Sequence, residues 1–408
     1  MEVRPLAPDE DVEAELDLTR RAFGPIRPAA VAARTASLQR SAAAGEILGA
    51  FDGTWLIGTA RYLPMRQWWR GRSLPMAGVA GVKVAPEERG RGVGRLLMVR
   101  LIADMAGNGY PLSALYPATA PLYRSLGWEF AGGKYETTLP VTGLATMIGP
   151  DAAAAADATA DDASVSGGPV AALRRAGPAD SAAVVTTLDQ VYAVLGDCGP
   201  ATHEPDLVAG WLDDHDHFAY LAADGFLSYR WADGTDSVRV EILAAASAPT
   251  ARAFWRILSS HGSMARTVRA CLPPDDPVSW LMREPVAATR LVEGWMLRCL
   301  DAPAAVAARG FPQAAQVSVR VDLTDPLVDG NSGQFELEIS SGNGQLTPAA
   351  TRQAAALRLG PRGLAALYGG VPVSTLRRAG LAAGGSPADD DALDMAFGGR
   401  PAFMLHGF

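Results

Sequence analysis

Apolar positions in the first 140 residues switch between two periods. Asp9–Ala22 and Ala29–Ala44 space them as helices do, whereas Glu46–Phe51 and Trp55–Tyr62 alternate as strands about Asp52-Gly53, a dipeptide suited to a hairpin turn. Val79, Val82 and Val84 favour a further strand, which Ala85-Pro86 ends because proline cannot donate to a ladder. From Val93 to Met105, Leu97, Met98, Leu101, Ile102 and Met105 recur at helical spacing with Arg95, Arg100 and Asp104 on the other side. Leu112–Tyr116 then reads as a strand, Ala120–Ser125 as a short helix closed by Gly127, and Glu129–Leu139 as a returning strand. Alternation of this kind predicts an α/β or α+β domain over residues 1–145.

The texture then changes twice. Residues 146–169 are dominated by Ala, Asp, Gly and Ser, with too little apolar bulk to pack, and read as a linker. Residues 170–300 repeat the first pattern in outline: Val184–Leu195 helical, Phe218–Ala222 and Gly225–Trp231 a hairpin, Ser237–Ala244 a strand, and Pro249–Ser260 a helix opened by proline. Residues 301–408 differ, with strands at Gln316–Leu323, Gly333–Ile339 and Gly344–Leu346. Helical segments are expected there at Ala349–Ala356, Pro361–Tyr368 and Val373–Ala379, which makes a small α+β domain.

The chemistry concentrates between the strand ending at Val84 and the helix beginning at Val93. Arg89, Gly90, Arg91, Gly92 and Gly94 let backbone approach an anion closely, with free N–H groups at the helix start and two guanidiniums beside them. A dinucleotide fingerprint fails, because Gly92-x-Gly94 would need glycine at 97, which is Leu97, and Gly90-x-Gly92 would need it at 95, which is Arg95. A P-loop around Lys134 fails at Trp128 and Tyr135. The corresponding turn of the second repeat, Ala245–Thr250, has neither glycine nor arginine, so only the first repeat is equipped to hold a pyrophosphate.

Composition narrows the setting. A chain of 408 residues exceeds a single typical core, and 49% hydrophobic with 20% charged residues is the balance of a folded globular protein. Neither a membrane-length apolar run nor a signal-peptide core is present, so a cytoplasmic location is expected. Three scattered cysteines indicate neither a disulfide framework nor a zinc site. A net charge of −8 argues against nucleic acid as partner.

Arg89-x-x-Gly92-x-Gly94 after a Val-x-Val strand resembles motif A of the Gcn5-related N-acetyltransferases (GNAT), which binds the pyrophosphate of coenzyme A. Leu122-Tyr123-Arg124-Ser125-Leu126-Gly127-Trp128, Gly225-Phe226-Leu227-Ser228-Tyr229-Arg230 and Leu364-Ala365-Ala366-Leu367-Tyr368-Gly369-Gly370 extend the likeness. With the domain order and terminal Phe408, the whole chain resembles the Eis-type (enhanced intracellular survival) acetyltransferases. The fold this implies is α+β: a catalytic GNAT domain, a degenerate second one, and a C-terminal domain like sterol carrier protein 2 (SCP2).

The resemblance also implies roles. Val82 and Val84 would hold the pantetheine arm of acetyl-CoA, with the Val82 N–H polarising the thioester carbonyl, and Arg89, Gly90, Gly92 and Gly94 would bind the pyrophosphate. Tyr123 would be the general acid toward the departing thiolate, since a phenol of pKa about 10 can donate to a basic leaving group. The terminal carboxylate of Phe408 would be the base; free carboxylates titrate near pH ~3.5, so that role requires burial to raise it. The acceptor would be a small-molecule amine, an aminoglycoside or another amine-bearing antibiotic, with no metal, and the assembly a homo-oligomer, a hexamer in this family. The acidic residue that aminoglycoside-acetylating members carry before the terminal phenylalanine is Gly407 here. The competing class is a non-catalytic lipid or small-molecule binding protein that uses the SCP2-like domain.

Two further groups have ambiguous composition. Asp213, Asp214, His215, Asp216 and His217 have the side chains of a metal site but the context of a solvated loop. Trp68, Trp69 and Arg70 would either line a substrate mouth or cap a hairpin.

Overall fold

The computed structural model describes residues 1–145, 171–284, 287–351 and 354–408, so the expected linker lies outside the described residues. These residues form two compact units: Met1–Gly132 with Gly294–Pro401 and Phe408, and Gly133–Glu293 with Ala402–Gly407.

The first unit begins with β1 (Glu2–Pro5), α1 (Val12–Phe23), α2 (Pro28–Ala43), β2 (Ile47–Asp52), β3 (Trp55–Trp69), β4 (Arg72–Val84), α3 (Val93–Gly107), β5 (Leu112–Leu115) and α4 (Ala120–Ser125). Strands β1 to β4 pair antiparallel in order, and β4 then pairs parallel with β5. Strand β3 runs to Trp69, seven residues past the expected end at Tyr62. Its partner β4 continues the ladder as far as Trp69 opposite Arg72, and the Arg70-Gly71 turn, both residues at positive φ, closes the hairpin. Helix α3 seats on β3 at Gly58, where a β-carbon would stand 3.0 Å from Val93 and 3.1 Å from Leu97. Beneath it Val93, Leu97, Met98, Leu101, Ile102 and Met105 are buried in one core with Tyr62, Val79, Tyr123 and Trp128.

The second unit takes up β6 (Glu129–Pro140) from Gly133 onward, then α5 (Val141–Leu144), β7 (Arg174–Arg175), α6 (Ser181–Leu195), β8 (Cys198–His203) and α7 (Pro205–Leu212). It continues through β9 (Phe218–Ala222), β10 (Gly225–Ala232), β11 (Ser237–Ala245), α8 (Ala248–Ser259), β12 (Thr267–Cys271) and α9 (Val278–Leu281) to the start of β13 (Ala288–Cys299). Its strands lie in the order β6-β12-β11-β10-β9-β7, and β11 and β12 pair parallel as β4 and β5 do. Phe254, Trp255 and Leu258 of α8 pack on Leu227, Val238 and Val240.

From Gly294 the chain belongs to the first unit again, where Met296–Cys299 pair antiparallel with β5. Then come α10 (Ala302–Ala308), β14 (Val317–Leu323), β15 (Gly333–Ser340), β16 (Asn343–Pro348), β17 (Leu357–Leu359), α11 (Pro361–Tyr368), α12 (Val373–Arg378), β18 (Ala382–Ala383) and α13 (Pro387–Phe397). The last five strands form a sheet in the order β16-β15-β14-β17-β18. The helix expected at Ala349–Ala356 is not formed by its described residues: Ala349 instead donates its N–H to Gln334, and the chain then enters β17. Helix α13, absent from the sequence expectation, has a clear local signal. Ser386 caps it reciprocally with Asp389, ahead of proline at the first helical position.

Candidate active site

Strand β4 changes character along its length. Met76–Gly78 pair with Leu112–Ala114 of β5, and beyond Gly78 the β5 side of β4 has no strand partner among the described residues. Thr59 lies opposite Lys83 and Arg61 opposite Ala80, so Gly81 and Val82 together face Ala60 in a bulge with Gly81 at φ +60°. A bulge leaves a backbone group outside the ladder; Val82 lies in that break and Val84 two residues beyond it, both half-buried. An extended ligand with amide groups can complete such an open edge.

The glycine turn follows at once. Gly90 and Gly92 hold φ near +81° and +80°, a region that disfavours side chains, and no other atom lies within 4 Å of where their β-carbons would be. Gly92 caps α3 without a side-chain hydrogen bond, which leaves the first N–H groups of the helix open to an anion. Arg89 is exposed and makes no ion pair among the described residues, whereas Arg91 reaches Glu88 and Asp52. A β-carbon on Gly94 would meet Val84 at 3.7 Å and Leu122 at 3.6 Å, so the bare helix start sits against both the strand and α4. The cradle fits a pyrophosphate.

The second unit fills its equivalent turn. Ser247 caps α8 by accepting from the Thr250 N–H, and the Thr250 hydroxyl donates to Asp224. An N-terminus already capped and faced by a carboxylate is a poor place for a phosphate.

Helix α4 carries Tyr123. Proline at its second position and Leu122 against the start of α3 fix it in place. The Tyr123 ring is 6% exposed and meets Trp128 edge-on at 6.3 Å; its hydroxyl has no hydrogen-bond partner among the described residues. Burial pushes its pKa above the ordinary tyrosine value, which keeps the proton on at neutral pH.

Phe408 docks in the first unit. Its ring meets Tyr116, just past β5, at 5.6 Å and 63°, and a β-carbon on Gly78 would stand 2.9 Å from it. The terminal residue is therefore seated where β4 and β5 part, and it is half-buried.

Several residues of the region escaped sequence reasoning. Lys83, between the two valines, is fully buried and bonded to Glu15 of α1, itself fully buried. Burial holds both Lys83 and Arg61 below their ordinary pKa values, and for Lys83 the nearby Arg34 and Arg61 add to the lowering. A lone lysine in a strand gives no sign of a partner 68 residues away. Gly78 did carry a signal, since an isolated strand glycine often marks a close approach.

The ambiguous groups resolve structurally. Trp69 is completely buried against Tyr368 at 4.9 Å and Trp295 at 6.3 Å. Arg309 stacks on Trp69 and Tyr368, each at 4.7 Å, and donates to the Tyr368 and Phe397 carbonyls. This aromatic seat for a buried guanidinium makes Trp69 a packing residue, while Arg70 forms the hairpin turn and donates to the Gly398 carbonyl. Asp213–Asp216 are exposed, and His217 bonds the Trp211 carbonyl through Nδ1 at 3.2 Å. Among the described residues no three His, Cys, Asp or Glu side chains are grouped to hold a metal. Nor is any helix there long and apolar enough to cross a membrane.

Comparison with known proteins bears on the whole chain. Models of an acetyltransferase (GNAT) domain match residues 2–131 and 204–299, and a sterol carrier protein domain matches residues 302–405. N-acetyltransferase Eis of Mycobacterium tuberculosis is 29% identical over 342 residues, which covers 81% of this chain and 80% of the relative. A GCN5-related N-acetyltransferase from Kribbella flavida superposes with TM-score 0.89 at 39% identity, over 100% of this chain and 98% of that one. Eis1 from Mycobacterium abscessus shares the fold, with TM-score 0.77 and 22% identity over the full length of both chains. With two GNAT domains followed by a sterol carrier protein domain, and a 39% identical relative along its whole length, the chain belongs to the GCN5-related N-acetyltransferases as an Eis-type, acetyl-CoA-dependent acetyltransferase.

Proposed function

We propose that this enzyme moves the acetyl group of acetyl-CoA to a primary amine of a small acceptor by direct transfer, without an acyl-enzyme. Arg89, Gly90, Gly92 and Gly94 hold the pyrophosphate, and the open edge of β4 at Val82 and Val84 takes the pantetheine arm. The Val82 N–H polarises the thioester carbonyl. The amine, relieved of its proton by the Phe408 carboxylate directly or through water, attacks the carbonyl carbon. The C–N bond forms, the C–S bond breaks, Tyr123 gives its proton to the leaving sulfur, and the remaining extra proton on the new amide nitrogen returns to Tyr123, directly or through water.

One observation carries this reading: the uncapped glycine turn with an unpaired Arg89 lies against the same α4 that presents a buried, protonated Tyr123. The capped turn at Ser247 supports a structural role for the second GNAT domain. Domain limits near 145, 170 and 300, a homo-oligomeric state, hexameric by family likeness, and a cytoplasmic location complete the proposal. The relatives named Eis and the missing acid at Gly407 together favour an amine-bearing antibiotic or peptide of modest charge.

The test is release of free coenzyme A thiol from acetyl-CoA against a panel of aminoglycosides, peptides and simple amines, with the product identified by mass. Acceptor-dependent release with one added acetyl group is expected. Release that no amine accelerates would refute acetyl transfer to amines.

A further inference from the structure

A cavity of about 230 Å³ lies between α4 and the first turn of α11, lined by Arg124, Gly127, Arg298, Asp325 and Gly360–Gly363. It shares no residue with the glycine turn. Arg298 is the notable wall: the residue is 0% exposed, its Nη2 donates to both oxygens of Asp325 at 2.8 and 2.9 Å, and its Nε and Nη1 have no hydrogen-bond partner among the described residues. Three N–H bonds of a dehydrated guanidinium are thus unspent, a costly arrangement in a native interior. Position 127 has room for no side chain, since a β-carbon there would fall 1.6 Å from Nη1.

The opposite wall offers more donors. Helix α11 spans eight residues, Gly360 caps it without a side chain, and Pro361 has no N–H. The N–H groups of Arg362 and Gly363 therefore open toward the cavity with no partner among the described residues. Both nearby carboxylates are committed. Asp325 is held by Arg298 and the Leu327 N–H, and Glu129 by Arg124, Arg362 and the Phe130 N–H. Three guanidiniums against two carboxylates, with a helix N-terminus added, leave the site electropositive.

We propose that this cavity binds a phosphoryl group, either free phosphate or the head of a small phosphate ester. Donors converge from two walls, which suits a tetrahedral oxyanion better than a planar carboxylate, and Arg298 is the buried anchor. The volume leaves space beyond one phosphate for an ester substituent. The assignment is independent of the acetyl-transfer reading.

Calorimetric titration of the full chain with orthophosphate and with glycerol phosphate, at constant ionic strength and with acetate as comparison, tests it. Arg89→Ala removes the other anion grip, and Arg298→Met with Asp325→Leu replaces the buried ion pair by apolar groups, a change such sites often tolerate. Saturable phosphate binding is expected in the wild type and in Arg89→Ala, weakened about tenfold or more in the double variant. Arg362→Gln, which leaves Glu129 held by Arg124 and the Phe130 N–H, should weaken it about threefold even if the double variant does not fold. The absence of saturable binding, its loss in Arg89→Ala with retention in the double variant, or acetate binding as tightly as phosphate would each overturn the proposal.

Discussion

The ring of Phe408 occupies the space over Gly78: a β-carbon on residue 78 would stand 2.9 Å from the ring and 2.6 Å from the Met65 sulfur. The glycine thus admits Phe408 to the place where β4 and β5 part. A valine at position 78 cannot coexist with the docked ring. Gly78→Val, or a short extension after Phe408, should lower kcat about 100-fold, the usual scale for removal of a general base. The KM for acetyl-CoA should hardly move. Steady-state kinetics check this, and full turnover in the extended chain would detach the terminal carboxylate from the mechanism.

Tyr123 is buried with its proton held on. Tyr123→Phe keeps the ring packed against Trp128 and removes only the hydroxyl, so folding should be intact by circular dichroism while kcat falls about 100-fold or more. Acetyl-CoA binding, followed by its thermal shift, should persist. Wild-type turnover by Tyr123→Phe would exclude it as the acid.

Lys83 of β4 and Glu15 of α1 are a fully buried ion pair. Removing one partner strands a charge, so Lys83→Met should cost about 3 kcal/mol, at the low end for such pairs because Arg61 also interacts with Glu15. Lys83→Met combined with Glu15→Leu should recover most of that loss. Urea midpoints of the single and double variants decide it; a single variant as stable as wild type would contradict the pairing.

The rings of His406 and His203 meet in the second unit at a tilt of 48°, with centroids 4.6 Å apart. Burial, reinforced by Lys134, pushes His406 down to about 4; burial and then His406 hold His203 well below its ordinary value. Between pH 6.5 and 4 the unfolded chain therefore binds protons that the folded one does not, and stability falls with acidification. For His406 alone the loss reaches about 2 kcal/mol by pH ~5. Melting temperature measured from pH 7 down to 5 should fall more steeply in the wild type than in His406→Phe, which preserves an aromatic beside Trp211. Parallel slopes would show that His406 does not titrate in this range.

Local chemistry carried most of the architecture. Glycine, proline and apolar period are properties of neighbouring residues, so the strand-turn-helix around Arg89–Gly94 was legible before any contact was known. Helix α11 falls at the expected Pro361–Tyr368 for the same reason. The described residues of Ala349–Ala356 show the limit: alanine is the strongest helix former, yet propensity is a weak force beside tertiary context, and the Ala349 N–H pairs with the Gln334 carbonyl instead.

The sequence by itself determined most of the α+β elements, the glycine turn and the difference between the first and second repeats. Tertiary structure alone decided which residues meet. Lys83 finds Glu15 across 68 positions, Arg70 reaches the Gly398 carbonyl across 328, and Phe408 lands on Gly78. The same holds for Arg298, whose two bare nitrogens become a candidate phosphate anchor only when α4 and α11 close around them. Periodicity records which side of an element is apolar; it carries no information about the partner that side will meet, because burial free energy depends on area and not on identity.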